Sequence, residues 1–304
     1  MDTKFNKPKR FGEILDHTFS LSKNRFSDFF LILLIFMGPV YLLQAIIDLF
    51  AGASFFRALG SGEMWYEQIV NGFAEPEEFY GMAPLVGIGG GFITGILGII
   101  LFPIGKAAIL FAINHLRNNE DYTVGSVIKE AFSRFWPILG STILFSLIIF
   151  GIIVIPLYMI ILIGFFGAIS SPTLAIIISI LLFLGFAVLI GYLLTRWSFY
   201  FGSVVLDRES PGFTRSWGLT RNRTWVLMGL YIIFYLIITS ISTAVEFTFG
   251  MFLGNSVLFA VIVNIISLFT TLFFNVGYAV IYLDLKTRND AEDLKEMIQD
   301  YKSI

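Results

Sequence analysis

Six apolar runs dominate this chain, and each exceeds the roughly 20 residues that carry a helix across the hydrocarbon layer of a bilayer. They fall at about 29–49, 83–115, 138–168, 173–206, 226–253 and 256–284. A chain that is 57% hydrophobic and 14% charged lies far outside the soluble range, which runs to about 45–50% apolar and about 25% charged. The expected fold is all-α and integral to a membrane, with six transmembrane helices. Pro39 and Pro156 sit inside two of the runs, where a missing N–H bends a helix. The first 28 residues are polar for too long to be a cleaved secretory signal, so the first run is expected to stay in the mature protein.

Charge orients the spans. Of the 20 Lys and Arg, all but Arg57 fall before the first run, within 106–134, within 196–223, or after the sixth. Cationic segments stay on the cytoplasmic side, so both termini are expected there. The loop 50–82 is acidic and aromatic, and it reads as an outer-surface helix or folded cap.

Three segments before the odd-numbered spans look like amphipathic helices lying in the interface. In the first, Phe11, Ile14, Leu15, Phe19, Leu21 and Phe26 share one face. The second is 117–136, with Thr123 as its N-terminal cap. The third is 206–225, in which Ser210-Pro211 reads as cap and first turn. The architecture is therefore three helical hairpins, each preceded by a cytoplasmic interfacial helix. A single membrane domain over 1–288 divides into pseudo-repeats at about 8–117, 118–208 and 209–288, followed by a separate cytoplasmic helix at 289–304. Gly87, Gly91 and Gly95 give the second span a smooth face for close packing.

Aligning the repeat ends FAINHLR, FGSVVLDR and YAVIYLDLKTR places Lys106 opposite Arg196, with Asn275 as the approximate third member. Both cations stand about ten residues inside apolar sequence. Such a residue either reaches for headgroup phosphates or lines a polar site, with Asp48 and Glu246 as distant counter-charges. Near the surface, Arg215, Arg221 and Arg223 lie among Trp217 and Trp225, a pattern suited to anionic headgroups or an acidic partner. Neither His17 nor His115 has ligands at metal spacing, and no nucleophile has a base beside it, so no catalytic residue, metal or cofactor is expected. Absence of cysteine removes thiol and disulfide chemistry. Nucleic acid is not an expected partner.

The run RWSFYFGSVVLDRES, followed by FTRSWGLTRNRTW up to Trp225, resembles the membrane domain of glycerophosphoryl diester phosphodiesterases, a family of bacterial polytopic proteins. The opening FGEILDHTFSLSKNRF and the closing YLDLKTRNDAEDLKEM are similar to that family's two ends. The resemblance implies a bacterial plasma membrane. It does not imply hydrolysis, which in the full-length enzymes belongs to a separate soluble barrel of about 250 residues that this chain has no room for.

The leading expectation is a non-enzymatic membrane module that binds anionic lipid headgroups or docks a protein at its cytoplasmic face. Neutralising Arg215, Arg221 and Arg223 is expected to weaken that binding and leave the fold intact. The alternative is a small transporter or export component with a polar site at the level of Lys106, Arg196 and Asn275.

Overall fold

Apolar side chains in continuous runs leave the backbone only one way to satisfy its own polar groups in a hydrocarbon layer, which is the helix. The computed structural model describes residues 8–56, 83–254 and 256–302. Among these residues the chain is helical, with no strand. Its helices are α1 (Phe11–Asn24), α2 (Phe26–Phe50), α3 (Ala83–Asn118), α4 (Val124–Ser133), α5 (Phe135–Ser170), α6 (Pro172–Trp197), a single turn α7 (Tyr200–Gly202), α8 (Phe213–Thr220), α9 (Thr224–Leu253) and α10 (Val257–Lys302). A π-helical turn at Ser203–Asp207 extends α7.

Six stretches are long and apolar enough to cross a bilayer: Phe26–Phe50, Val86–Asn118, Phe135–Gly167, Pro172–Asp207, Thr224–Leu253 and Val257–Asn289. They support a multi-pass membrane protein. The expected outer cap lies almost wholly outside the described residues. The expected separate tail helix at 289 does not begin there: α10 continues unbroken to Lys302. No proline or glycine interrupts the sequence after Gly277, so the backbone has no reason to stop.

The chain divides into two compact units. One comprises Gly12–Phe132 and Ile233–Val280. Within it α2 packs on α3, and Gly90 lies so close to Ile47 that a Cβ there would overlap that side chain. One turn on, the Thr94 hydroxyl donates to Gln44 Oε1 at 2.6 Å, and Gln44 Nε2 donates to Asp48 at 2.7 Å. The face turned to α2 is thus Gly90–Thr94. A Cβ at Gly87, Gly91 or Gly95 would meet nothing within 4 Å. The expected smooth stripe is one residue, and so about 100° of helix rotation, away from the packed one. Phe26 and Phe30 pack on Phe269, and Phe19 on Phe273, so α10 is gripped by rings from α1 and α2. The first N–H groups of α10, at Val257 and Leu258, donate to the carbonyls of Ser54 and Phe55, which answers donors every helix start leaves open.

In α1 the buried stripe is Ile14, His17, Thr18, Leu21 and Ser22, at helical spacing. Phe19 and Phe26 are exposed and Phe11 and Leu15 half-buried, so the expected six-residue apolar face is split. Thr123 caps α4 as expected, its Oγ1 accepting the Ser126 N–H at 3.1 Å while Ser126 Oγ accepts the Thr123 N–H at 3.0 Å.

The second unit comprises Met1–Phe11, Ser133–Ile232 and Ile281–Ile304. Here α5 and α6 meet across a tight turn in which Pro172 opens α6, where its lost N–H costs nothing. Gly167 admits Ala175, whose Cβ would lie 2.9 Å from a Cβ at 167. Beyond Trp197 the helix is interrupted at Ser198-Phe199, and positive φ at Arg208 (61°) and Gly212 (79°) then turns the chain into α8. The expected cap and first turn at Ser210-Pro211 is not formed. That peptide is cis and precedes the helix, whose N-cap is Gly212. A Cβ at 212 would lie 2.6 Å from the Tyr200 carbonyl, so only glycine fits.

Candidate functional site: a basic cluster closed on two aspartates

The site begins at the interruption in α6. Residues around a broken helix leave backbone groups unpaired, and burying them unpaired is costly. Ser216, in the first turns of α8, meets two of them: its Oγ accepts the Phe199 N–H at 3.1 Å and donates to the Arg196 carbonyl at 2.8 Å. One turn later Thr220 Oγ1 reaches the same carbonyl at 3.3 Å while bonding its own helix at Ser216 O, 2.9 Å. Both hydroxyl side chains are fully buried. Helix α8 is thereby keyed into the helix that precedes it.

Two carboxylates then collect the neighbouring cations. Asp207, at the end of the π-helical turn, accepts from Tyr282 at 2.7 Å and from Lys286 at 2.5 Å, and lies 3.5 Å from Arg215 Nε. Tyr282 reaches it because Gly202 has no side chain: a Cβ there would fall 2.5 Å from the tyrosine ring. Asp284, in α10, accepts the Lys9 backbone N–H at 2.6 Å and Arg288 Nε at 2.8 Å, with Arg223 Nη1 at 3.6 Å. Arg288 also donates to the Lys9 carbonyl at 2.6 Å, so the start of the chain is clasped to α10. The two aspartate side chains are 9% and 2% exposed, so these contacts are far less screened than surface pairs.

The remaining arginines of this unit fare differently. Among the described residues Arg134, Arg208 and Arg221 have no acidic partner. Burial and then the charge of Arg208 push the Arg134 guanidinium below its ordinary pKa. Arg223 is lowered by burial first and by Arg288 second, and Asp284 opposes them.

The residues singled out in sequence are distributed as follows. Arg215 and Arg223 are tied to Asp207 and Asp284; Arg221 at the end of α8 is exposed. Trp217 receives the Arg196 guanidinium over its ring at 4.0 Å, and Trp225 projects outward near Tyr192, ring centroids 6.0 Å apart. Arg196 is the penultimate residue of α6, and the membrane-length stretch Pro172–Asp207 continues past it through α7 and the π-helical turn. Lys106 and Asn275 belong to the other unit. There the Lys106 ammonium stands 3.8 Å from the centroid of Tyr278, one turn along α10 from Asn275. Asn275 is 2% exposed and neither its Oδ1 nor its Nδ2 has a hydrogen-bond partner.

Sequence reasoning missed Asp207, Asp284, Ser216 and Thr220. A signal for the aspartates was present: each follows a leucine near the end of a second span, Leu206-Asp207 and Leu283-Asp284, in two of the repeats. In the other unit His115, also near the end of α3, lies 3.1 Å from Glu130 of α4 and 2.6 Å from Glu120. The end of a long apolar helix again binds the short helix that follows it.

The family described as a domain of unknown function (DUF7847) matches residues 31–285, most of the chain and both aspartates. The chain belongs to that family. No curated protein and no solved structure matches it.

Proposed function

We propose that this member of the DUF7847 family is a non-enzymatic, six-span module of the bacterial plasma membrane that binds anionic lipid headgroups through its basic face. The observation that carries the reading is the imbalance in the unit built around α6 and α8. Asp207 and Asp284 already meet Arg215, Lys286, Arg223 and Arg288, while Arg134, Arg208 and Arg221 have no acidic partner among the described residues. Such cations at the ends of apolar helices attract headgroup phosphates, each by about 1 kcal/mol. The bias of Lys and Arg toward the termini and the two basic segments supports a cytoplasmic location for this face and for both ends of the chain. Arrangement as three hairpins, each with an interfacial helix before it, is supported by the pairing of span ends with following helices at His115–Glu130 and Asp207–Arg215. On this reading the likeness to the phosphodiesterase membrane domain is one of membrane architecture, and no hydrolysis goes with it. Docking of a protein on the same face would use the same cations.

The test is native mass spectrometry of gently extracted protein. Wild type should retain phosphatidylglycerol or cardiolipin, and the triple variant R134Q/R208Q/R221Q should lose it while keeping its unfolding temperature. A stoichiometric protein in place of lipid would favour docking, and equal lipid retention by both would count against the reading. Arg215 and Arg223 are unsuited to this experiment because neutralising either also removes an ion pair with a buried carboxylate.

A second reading, transport, is favoured by one observation: the buried amide of Asn275 without a partner, one turn from the ring beneath Lys106. A chain with no cysteine makes the test direct. In Asn275→Cys, labelling by a small water-soluble thiol reagent would support a hydrated path, and protection from it would remove this reading.

A further inference from the structure

We infer that Arg196 and Trp217 form a discrete oxyanion site for one phosphate group, separate from the surface arginines. Arg196 is 4% exposed. Its Nε and Nη1 are buried without any hydrogen-bond partner, and no carboxylate among the described residues pairs with it. Burying the charge uncompensated is among the most unfavourable arrangements a protein adopts. One face of the guanidinium is covered by the Trp217 ring at 4.0 Å, which attracts a cation but accepts none of its N–H groups. What the group still lacks is an acceptor in its own plane, and a tetrahedral oxyanion supplies two at the spacing of the guanidinium fork.

Position selects phosphate among oxyanions. Helix α6 has 26 residues and so rises about 39 Å, against a hydrocarbon thickness of about 30 Å. A helix of that length reaches from one layer of lipid phosphates to the other. Trp197 and Trp217, 6.0 Å apart, and the Tyr192–Trp225 pair collect at this end, as amphipathic rings do at an interface. The backbone at the site is already fixed, because the Arg196 carbonyl is held by Ser216 and Thr220. A lipid headgroup and free inorganic phosphate share this chemistry.

The experiment uses the full chain, delipidated in a neutral detergent, and follows its unfolding temperature. Inorganic phosphate and a short-chain phosphatidic acid are titrated separately, with a short-chain diacylglycerol as the uncharged control. A saturable rise with either phosphate compound and none with the control is expected. A rise with phosphatidic acid alone assigns the site to lipid, and a rise with both assigns it to the phosphate group itself. Arg196→Met should unfold at the same or a higher temperature than anion-free wild type, since it removes an unpaired charge, and should lose the response. Arg196→Lys keeps the charge without the fork and should bind roughly tenfold more weakly, the worth of one charged hydrogen bond. The response should survive in R134Q/R208Q/R221Q, which separates this site from the headgroup reading above. Wild type that responds to neither compound, or Arg196→Met that responds as wild type does, overturns the assignment.

Discussion

Ser216 and Arg196 are twenty residues apart in sequence, yet the hydroxyl of one donates to the backbone carbonyl of the other at 2.8 Å. The same oxygen accepts the Phe199 N–H, so one side chain seals both edges of the interruption in α6. Within the stretch Arg215-Ser216-Trp217, successive residues bind Asp207, close the broken helix and cover the Arg196 guanidinium. Polar side chains thus hold α8 in place, and Leu219 is buried beside them.

Ser216→Ala should therefore be costly for a small change. It leaves a buried donor and a buried acceptor unpaired, a loss of about 2–4 kcal/mol. Thr220→Ala should cost less, because Thr220 makes only the longer contact with Arg196 and bonds within its own helix. Unfolding of both variants in detergent, followed by circular dichroism, checks the order.

Asp284→Asn should free the start of the chain. Asp284 holds the Lys9 N–H and positions Arg288 against the Lys9 carbonyl. Limited trypsinolysis should cut the variant after Lys9 or Arg10 several times faster than wild type, with the remaining sites unchanged. An unaltered cleavage rate would mean the clasp adds nothing to the order of that segment.

Two glycines of the same surface segment should behave oppositely. Gly212→Ala forces a side chain into a left-handed backbone and to within 2.6 Å of the Tyr200 carbonyl, and should destabilise by about 2–4 kcal/mol. Gly218 lies inside α8 with nothing within 4 Å of a Cβ, so Gly218→Ala should stabilise by about 0.5–1 kcal/mol. Chemical denaturation of the pair reads out both signs.

Most of the architecture was legible in sequence for a simple reason. Hydrocarbon demands long apolar helices, and runs such as 138–168 and 226–253 announce themselves by length alone. The Thr123 cap was legible because its partner Ser126 is three residues away. What escaped depends on tertiary neighbours. The run 173–206 is apolar throughout, and only the hydroxyls of Ser216 and Thr220 mark where it breaks. Gly90 rather than Gly91 faces α2 because Gln44 and Ile47 lie on that side of α3, which no periodicity within α3 reveals. Asp207 and Asp284 were passed over as ordinary residues near helix ends, since Lys286, Tyr282 and Lys9 come to them across 75 residues or more. Grouping Arg215, Arg221 and Arg223 as one basic patch followed from their spacing; their separation into paired and unpaired arginines follows from those same long-range contacts.

The central claim is selectivity for anionic headgroups, and its most direct test is the partition of spin-labelled lipids into the shell around the protein in mixed bilayers. The account predicts that labelled phosphatidylglycerol exceeds labelled phosphatidylcholine in the immobilised component by about fivefold, from about 1 kcal/mol per accessible cation. The preference should fall at high salt and should be largely lost in R134Q/R208Q/R221Q. Equal partition of the two lipids around the wild-type protein at low salt would contradict it.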